Sequence, residues 1–194
     1  MKTHLLNFLS LTHLAERSSR RKIDTNTPSM NNVLGIGTDI VYLPRIVGLL
    51  QRSSIKNDAR TWRMVINKFM AKPEQHKLLE ILEDTDEISI NSKIVTYTAG
   101  VWATKESLLK ALGCFVPTDH IPPAQTVYSQ LFYKTNTQSG RPIVHINNHF
   151  GANNPSYHDF FENYVNNKIT VDLSISHDND YLVSYCLIKS KVKE

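Results

Sequence analysis

The sequence predicts an α+β fold in which helices pack against a mostly antiparallel sheet. Three observations predict it. Segments whose apolar residues alternate with polar ones are interleaved with segments of helical period. Two pairs of alternating segments are separated by turn-forming runs, at 139–142 and 177–180, which suit hairpins. Helices are inserted between those hairpins, the arrangement of an α+β chain.

The elements run in order from the first strand. Residues 33–41, Val-Leu-Gly-Ile-Gly-Thr-Asp-Ile-Val, read as a short apolar strand. Pro44 suits the first position of a helix continued over 45–52. Pro73 opens a second helix, with Leu78, Leu79, Ile81 and Leu82 as its apolar stripe. A third spans 92–112 and stops at Gly113, a residue type favoured just past a helix end. After a proline-containing loop, 126–133 and 143–147 read as two strands, and 155–165 as a helix. Two strands close the chain, 169–176 and 181–188, around a His177-Asp-Asn-Asp180 turn.

Length and composition bound the function. At 194 residues, 41% hydrophobic and 21% charged, the chain suits one globular domain with a real core. No stretch approaches the roughly 18 uninterrupted apolar residues of a membrane helix, so no membrane partner is expected. Cys114 and Cys186 form no CxxC pair, which argues against a disulfide framework and a zinc ribbon and suits a reducing compartment. The first 30 residues differ from the rest. Lys2, Arg17, Arg20, Arg21 and Lys22 stand against Glu16 and Asp24, so this segment carries +3 of the net charge of +4. Its leucines and Phe8 recur at roughly helical intervals among serines, a composition closer to a mitochondrial transit peptide than to a secretory signal. Residues 1–30 are therefore expected to target or remain outside the fold, and 31–194 to form the domain, with a mitochondrial location. Because the excess charge sits in that leader, a nucleic-acid partner is not expected, although a basic binding module is the rival class.

Several residues bear on chemistry. Gly35, Gly37 and Asp39 share one face of the first strand, leaving a bare strip that a ligand or another backbone can approach. Asp39 is then a turn or capping residue, or a metal ligand, since an unpaired carboxylate is costly to bury. On the third helix Val101, Trp102, Leu108, Leu109 and Leu112 form an apolar arc, with Glu106 and Lys110 adjacent on its border. Those two are either a surface pair or a carboxylate and an ammonium facing a phosphate–metal centre. Lys105 falls inside the apolar arc, where an ordinary amphipathic helix would not place it. His177 heads its turn. No GxGxxG or GxxxxGK[ST] run supports dinucleotide or P-loop chemistry.

In sequence order, Gly35-Ile-Gly-Thr-Asp39, Trp102-x-x-Lys-Glu-Ser-x-x-Lys110-Ala-x-Gly, Ser139-Gly-Arg-Pro142 and Ser174-x-Ser-His177 resemble the signatures of the 4′-phosphopantetheinyl transferases. The early Gly-x-Gly-x-Asp and the short length resemble the holo-acyl-carrier-protein synthase branch, and the basic leader a fungal mitochondrial form. The resemblance covers about 33–188. It implies the fold of that branch and transfer of 4′-phosphopantetheine from coenzyme A to a serine of an acyl carrier protein, with release of 3′,5′-ADP. It implies that Asp39 and Glu106 hold Mg²⁺, that Glu106 or a water it orients takes the serine proton, and that Lys110 stabilises the leaving group. It assigns Ser139, Gly140, Arg141 and Pro142 to the adenosine 3′-phosphate, His177 to coenzyme A, Lys105 to support of the cofactor site, and Arg45 to the carrier protein. A homotrimer with active sites between subunits is implied as well. The sequence departs from the bacterial pattern at Val101, where an arginine is common, and in expanded stretches at 53–62 and 147–167. A catalytically silent homologue is the second rival; retention of Asp39, Glu106, Lys110 and His177 together speaks against it.

Overall fold

A computed structural model describes residues 32–52, 59–85 and 87–191; the leader expected over 1–30 lies outside the described residues. Strand β1 (Val33–Tyr42) leads into helix α1 (Leu43–Arg52), followed by α2 (Ala59–Ile66), α3 (Lys72–Glu83) and the 20-residue α4 (Lys93–Leu112). Short helical turns from 124 to 131 precede β2 (Phe132–Asn136) and β3 (Pro142–Ile146). Further helical turns between 150 and 165 lead to β4 (Ile169–Asp178) and β5 (Tyr181–Ser190). All pairing is antiparallel: β1-β5-β4 form one sheet and β2-β3 a second. The expected α+β class and antiparallel pairing are thus observed.

Helix α4 is the centre of the molecule. Thirteen of its twenty residues are buried, on more than one face, because it lies against β1 and β5 on one side and meets α1, α3 and β2 on others. A helix so enclosed needs small side chains where a strand crosses it. A Cβ placed on Gly37 would stand 1.8 Å from the Ser107 carbonyl oxygen, and one on Gly35 2.0 Å from that of Ala111. The bare strip of β1 therefore receives the α4 backbone, which settles the sequence's alternative of ligand or backbone in favour of backbone. The Ser107 hydroxyl lies 2.9 Å from that of Ser184 on β5, pinning helix to sheet. The opposite face of the sheet has no cover within the described residues: Ile36, Ile40, Tyr42, Tyr181, Val183 and Tyr185 are all exposed there, Ile40 to 64%.

Three expectations are corrected. Residues 126–131 are helical rather than extended, because Val127, Tyr128 and Leu131, buried at spacings of one and four, face the core as a helical turn does; the strand begins at Phe132. Helix α4 ends at Leu112 with Gly113 as its cap, as expected, and turns continue through hydrogen bonds from Cys114 and Val116 back to Ala111 and Leu112. His177 lies within β4, paired with Leu182, and the hairpin turn shrinks to Asn179 and Asp180, with Asn179 at φ 48°. Asparagine tolerates that left-handed conformation better than most residues. Helix α2 overlaps the end of the stretch 53–62 read as an expansion, where no helix was expected.

Candidate active site at the junction of β1 and α4

The close approach of β1 to α4 sets which side chains meet farther along both. Gly35 meets Ala111 and Gly37 meets Ser107, so the next inward side chain of β1, Asp39, arrives beside the same stretch of helix. The Lys110 ammonium reaches across and donates to the Asp39 carboxylate at 2.8 Å and to the Thr38 carbonyl at 2.9 Å. Glu106 stands one helical turn before Lys110 and is half-buried. Its Oε1 accepts a hydrogen bond of 2.9 Å from the Tyr128 hydroxyl. Burial, that hydrogen bond to Glu106 and the negative charges of Glu106 and Asp39 push the Tyr128 hydroxyl well above its ordinary range, so Tyr128 remains a donor. Asp39 pairs with Lys110, which stands one helical turn beyond Glu106 on α4.

Tyr128 was missed in the sequence because its segment read as a strand. As a helical turn the segment aims the ring at α4, where it packs edge-on to Trp102, and the Arg45 guanidinium lies over Trp102 at 5.7 Å. Arg45 is exposed on α1, over Trp102, which stands one helical turn before Glu106 on α4. Two carboxylates from different elements, Asp39 paired with an ammonium and Glu106 one turn away on the same helix as that ammonium, suit a hard divalent cation that keeps several waters and binds phosphate oxygens as well. Among the described residues no cluster of three or more acidic, histidine or cysteine side chains could hold a metal ion.

The other expected residues gather elsewhere. Gly140, Pro142 and His177 line one cleft of about 1110 Å³, bounded also by Gly100, Tyr97 and Lys134. Asp39, Glu106 and Lys110 do not line it. Gly140 has φ 85°, which favours glycine. The turn around it is closed by Thr137, whose carbonyl accepts from the Gly140 N–H and whose hydroxyl accepts from the Arg141 N–H. Ser139 and Arg141 project from that turn, exposed.

Lys105, expected to support the cofactor site, is buried away from the cleft surface. It is 1% exposed and lines neither the cleft nor the acidic site. Its ammonium pairs with Glu74 at 2.8 Å and donates to the Phe132 carbonyl. Glu74, fully buried, also accepts from the backbone N–H groups of Ala71 and Lys134. Burial pushes the Glu74 carboxyl up and the Lys105 ammonium down, and their attraction opposes both shifts. The anomaly visible in the sequence, a lysine in an apolar arc, thus marks a buried ion pair that ties α3, α4 and β2 together.

The family model of the 4′-phosphopantetheinyl transferase superfamily matches residues 35–186. The chain is similar to the mitochondrial holo-(acyl-carrier-protein) synthase of Saccharomyces cerevisiae, 36% identical over 156 residues that cover 78% of this chain and 89% of that protein. Among solved structures it is similar in fold to the holo-(acyl-carrier-protein) synthase from Neisseria meningitidis, with a TM-score of 0.53, 20% identity, and 80% of this chain and 98% of that chain covered. The Bacillus anthracis synthase in complex with CoA (3′,5′-ADP) is likewise similar, with a TM-score of 0.51, 20% identity and coverages of 81% and 97%.

Proposed function

This chain belongs to the 4′-phosphopantetheinyl transferase superfamily, and from that premise we propose that it converts apo- to holo-acyl carrier protein. The carrier's serine oxygen attacks the β-phosphorus of coenzyme A. A phosphodiester bond to the serine forms, the bond to the nucleotide breaks, and 3′,5′-ADP leaves. The observation that carries this reading is the pairing of Asp39 with Lys110 where β1 crosses α4, with Glu106 and its Tyr128 partner one turn away on the same helix. Asp39 and Glu106 fit Mg²⁺, which when bound neutralises charge building on the diphosphate. Glu106, its orientation held by Tyr128, accepts the serine proton directly or through a water. Lys110 neutralises Asp39 in the free protein, and its ammonium would be placed to meet the charge on the departing oxygen. His177 and the 139–142 turn bind the nucleotide end of coenzyme A. Incubating the protein with coenzyme A, Mg²⁺ and an apo acyl carrier protein, then weighing the carrier, tests the proposal. One phosphopantetheine gained on the serine is expected; no gain with any mitochondrial-type carrier rejects it.

The carrier meets the surface around Arg45. An exposed guanidinium beside the acidic site suits an acidic partner, and such pairing acts on encounter and orientation more than on chemistry. Arg45→Ala is expected to raise the carrier KM and flatten its salt dependence, with coenzyme A affinity unchanged. An unchanged carrier KM removes Arg45 from the interface.

Two features support a homotrimer. The acidic site and the cleft holding His177 are distinct within one chain, so a neighbouring copy can bring the second to the first. The outward face of the β1-β5-β4 sheet, with Ile36, Ile40, Val183 and three tyrosines exposed, offers the apolar surface for that association. Sedimentation is expected to give three times the chain mass, and Ile40→Asp combined with Tyr185→Asp to give one. A wild-type monomer that retains activity contradicts the shared site. The yeast relative is a mitochondrial enzyme by name, and with the basic leader this supports a mitochondrial location here.

A further inference from the structure

Lys134 is a buried base with no part in the transfer chemistry. It sits on β2 two residues after the buried Phe132, and it is 7% exposed. Its ammonium donates to the Asn136 side-chain oxygen at 2.7 Å and lies over the Tyr97 ring at 5.7 Å. Both partners are neutral. Among the described residues no ion pair includes Lys134. Glu74 is the carboxylate whose charge acts on it, and that carboxylate is already paired with Lys105. Two buried ammoniums therefore share one buried carboxylate, leaving one positive charge in excess. Burying such a charge without a counter-ion is costly, and burial depresses Lys134 below the ordinary lysine range accordingly.

The side chain also lines the cleft that holds Gly140, Pro142 and His177. Glu80, Asp84 and Glu87 line that cleft too, but Glu80 pairs with Lys77, and none forms an ion pair with Lys134. A desolvated ammonium aimed into a cleft and lacking an anion is matched to an anionic ligand, and its partial dehydration is already completed in the free protein.

We propose that Lys134 is the charge-matching contact for the 3′-phosphate of coenzyme A, in the cleft it shares with Gly140, Pro142 and His177. This rests on the reading of the chain as a transferase that uses coenzyme A.

Calorimetric titration of the full chain with coenzyme A, 3′,5′-ADP and dephospho-coenzyme A, which lacks the 3′-phosphate, tests it without reference to turnover. The wild-type protein is expected to bind coenzyme A more tightly than dephospho-coenzyme A. Lys134→Met is expected to raise the Kd for coenzyme A and 3′,5′-ADP about 10- to 100-fold, the worth of a charge-assisted hydrogen bond, and to leave that for dephospho-coenzyme A unchanged. The Tm of the ligand-free variant is expected to equal or exceed that of the wild type, because an uncompensated charge is removed. Unchanged affinity for coenzyme A, or equal weakening for coenzyme A and dephospho-coenzyme A, overturns the inference and leaves the transferase reading standing. Failure of the wild-type protein to bind coenzyme A or 3′,5′-ADP overturns both. Lys134→Gln, which keeps a polar tip for Asn136, is titrated alongside; if both variants fail to fold, the charge is compensated within the protein and the inference falls.

Discussion

Glu106→Gln is expected to lower turnover by at least ~10²-fold, the usual worth of a positioned general base, and to weaken the dependence of the rate on Mg²⁺. The substitution suits the question because glutamine keeps the shape and the acceptor oxygen. The Tyr128 hydroxyl, which donates to Glu106 at 2.9 Å, retains a partner, and the turn carrying Tyr128 stays seated against α4. What disappears is the negative charge, and with it both a metal ligand and a proton acceptor. Steady-state turnover of apo carrier across a Mg²⁺ series, with Tm measured in parallel, separates loss of chemistry from loss of fold. An unchanged Tm with a rate near wild type transfers the base role to another group and leaves Glu106 as a surface carboxylate.

Lys105→Met is expected to destabilise the protein by about 3–5 kcal/mol, because removing one member of a buried ion pair strands the other. Glu74 would keep its two backbone donors, Ala71 and Lys134, yet lose its counter-ion in a fully buried site. Adding Glu74→Gln removes the stranded charge, so the double variant is expected to be more stable than Lys105→Met alone. It remains below wild type, since the Phe132 carbonyl still lacks its donor. The pH dependence has a definite sign. Burial already raises the Glu74 carboxyl above its ordinary value of 4.5, and without Lys105 to oppose it the carboxyl rises further. A carboxyl raised in the folded state holds more protons folded than unfolded. The stability it contributes is then full below the unfolded value and is lost as pH rises through the folded one. Denaturant unfolding of Lys105→Met is therefore expected to show a smaller deficit near about pH 5 than near about pH 8. A deficit that does not change with pH, or that the second substitution deepens, contradicts the ion-pair account.

Much of the fold and site was legible in the sequence, and the remainder was not for definite reasons. Strand β1, helix α4 and the β4–β5 hairpin were visible because each pattern repeats over ten or more residues. Asp39, Glu106 and Lys110 could be singled out because a carboxylate beside two glycines and a charged pair on an apolar border are both unusual. Glu74 was hidden, since an acid one residue after a proline at a helix start looks like ordinary first-turn chemistry. Its importance depends on Lys105 arriving from 31 residues away. Tyr128 was hidden because Thr126-Val-Tyr-Ser-Gln-Leu fits alternation as well as a helical turn over so short a span. Lys134 left a faint trace: in Phe132-Tyr-Lys134 the lysine shares the parity of a core phenylalanine. Polarity placed it on the surface, whereas strand parity points inward.

Transferase chemistry at the β1–α4 junction requires that Asp39 and Glu106 act on the same ion. Calorimetric titration of Mg²⁺ into the protein with coenzyme A present measures this directly. One ion per chain is expected for the wild type, and Asp39→Asn and Glu106→Gln are each expected to weaken its binding at least about 10-fold, as loss of one of two anionic ligands should. Wild-type Mg²⁺ affinity in either variant would mean that the two acids do not share a metal.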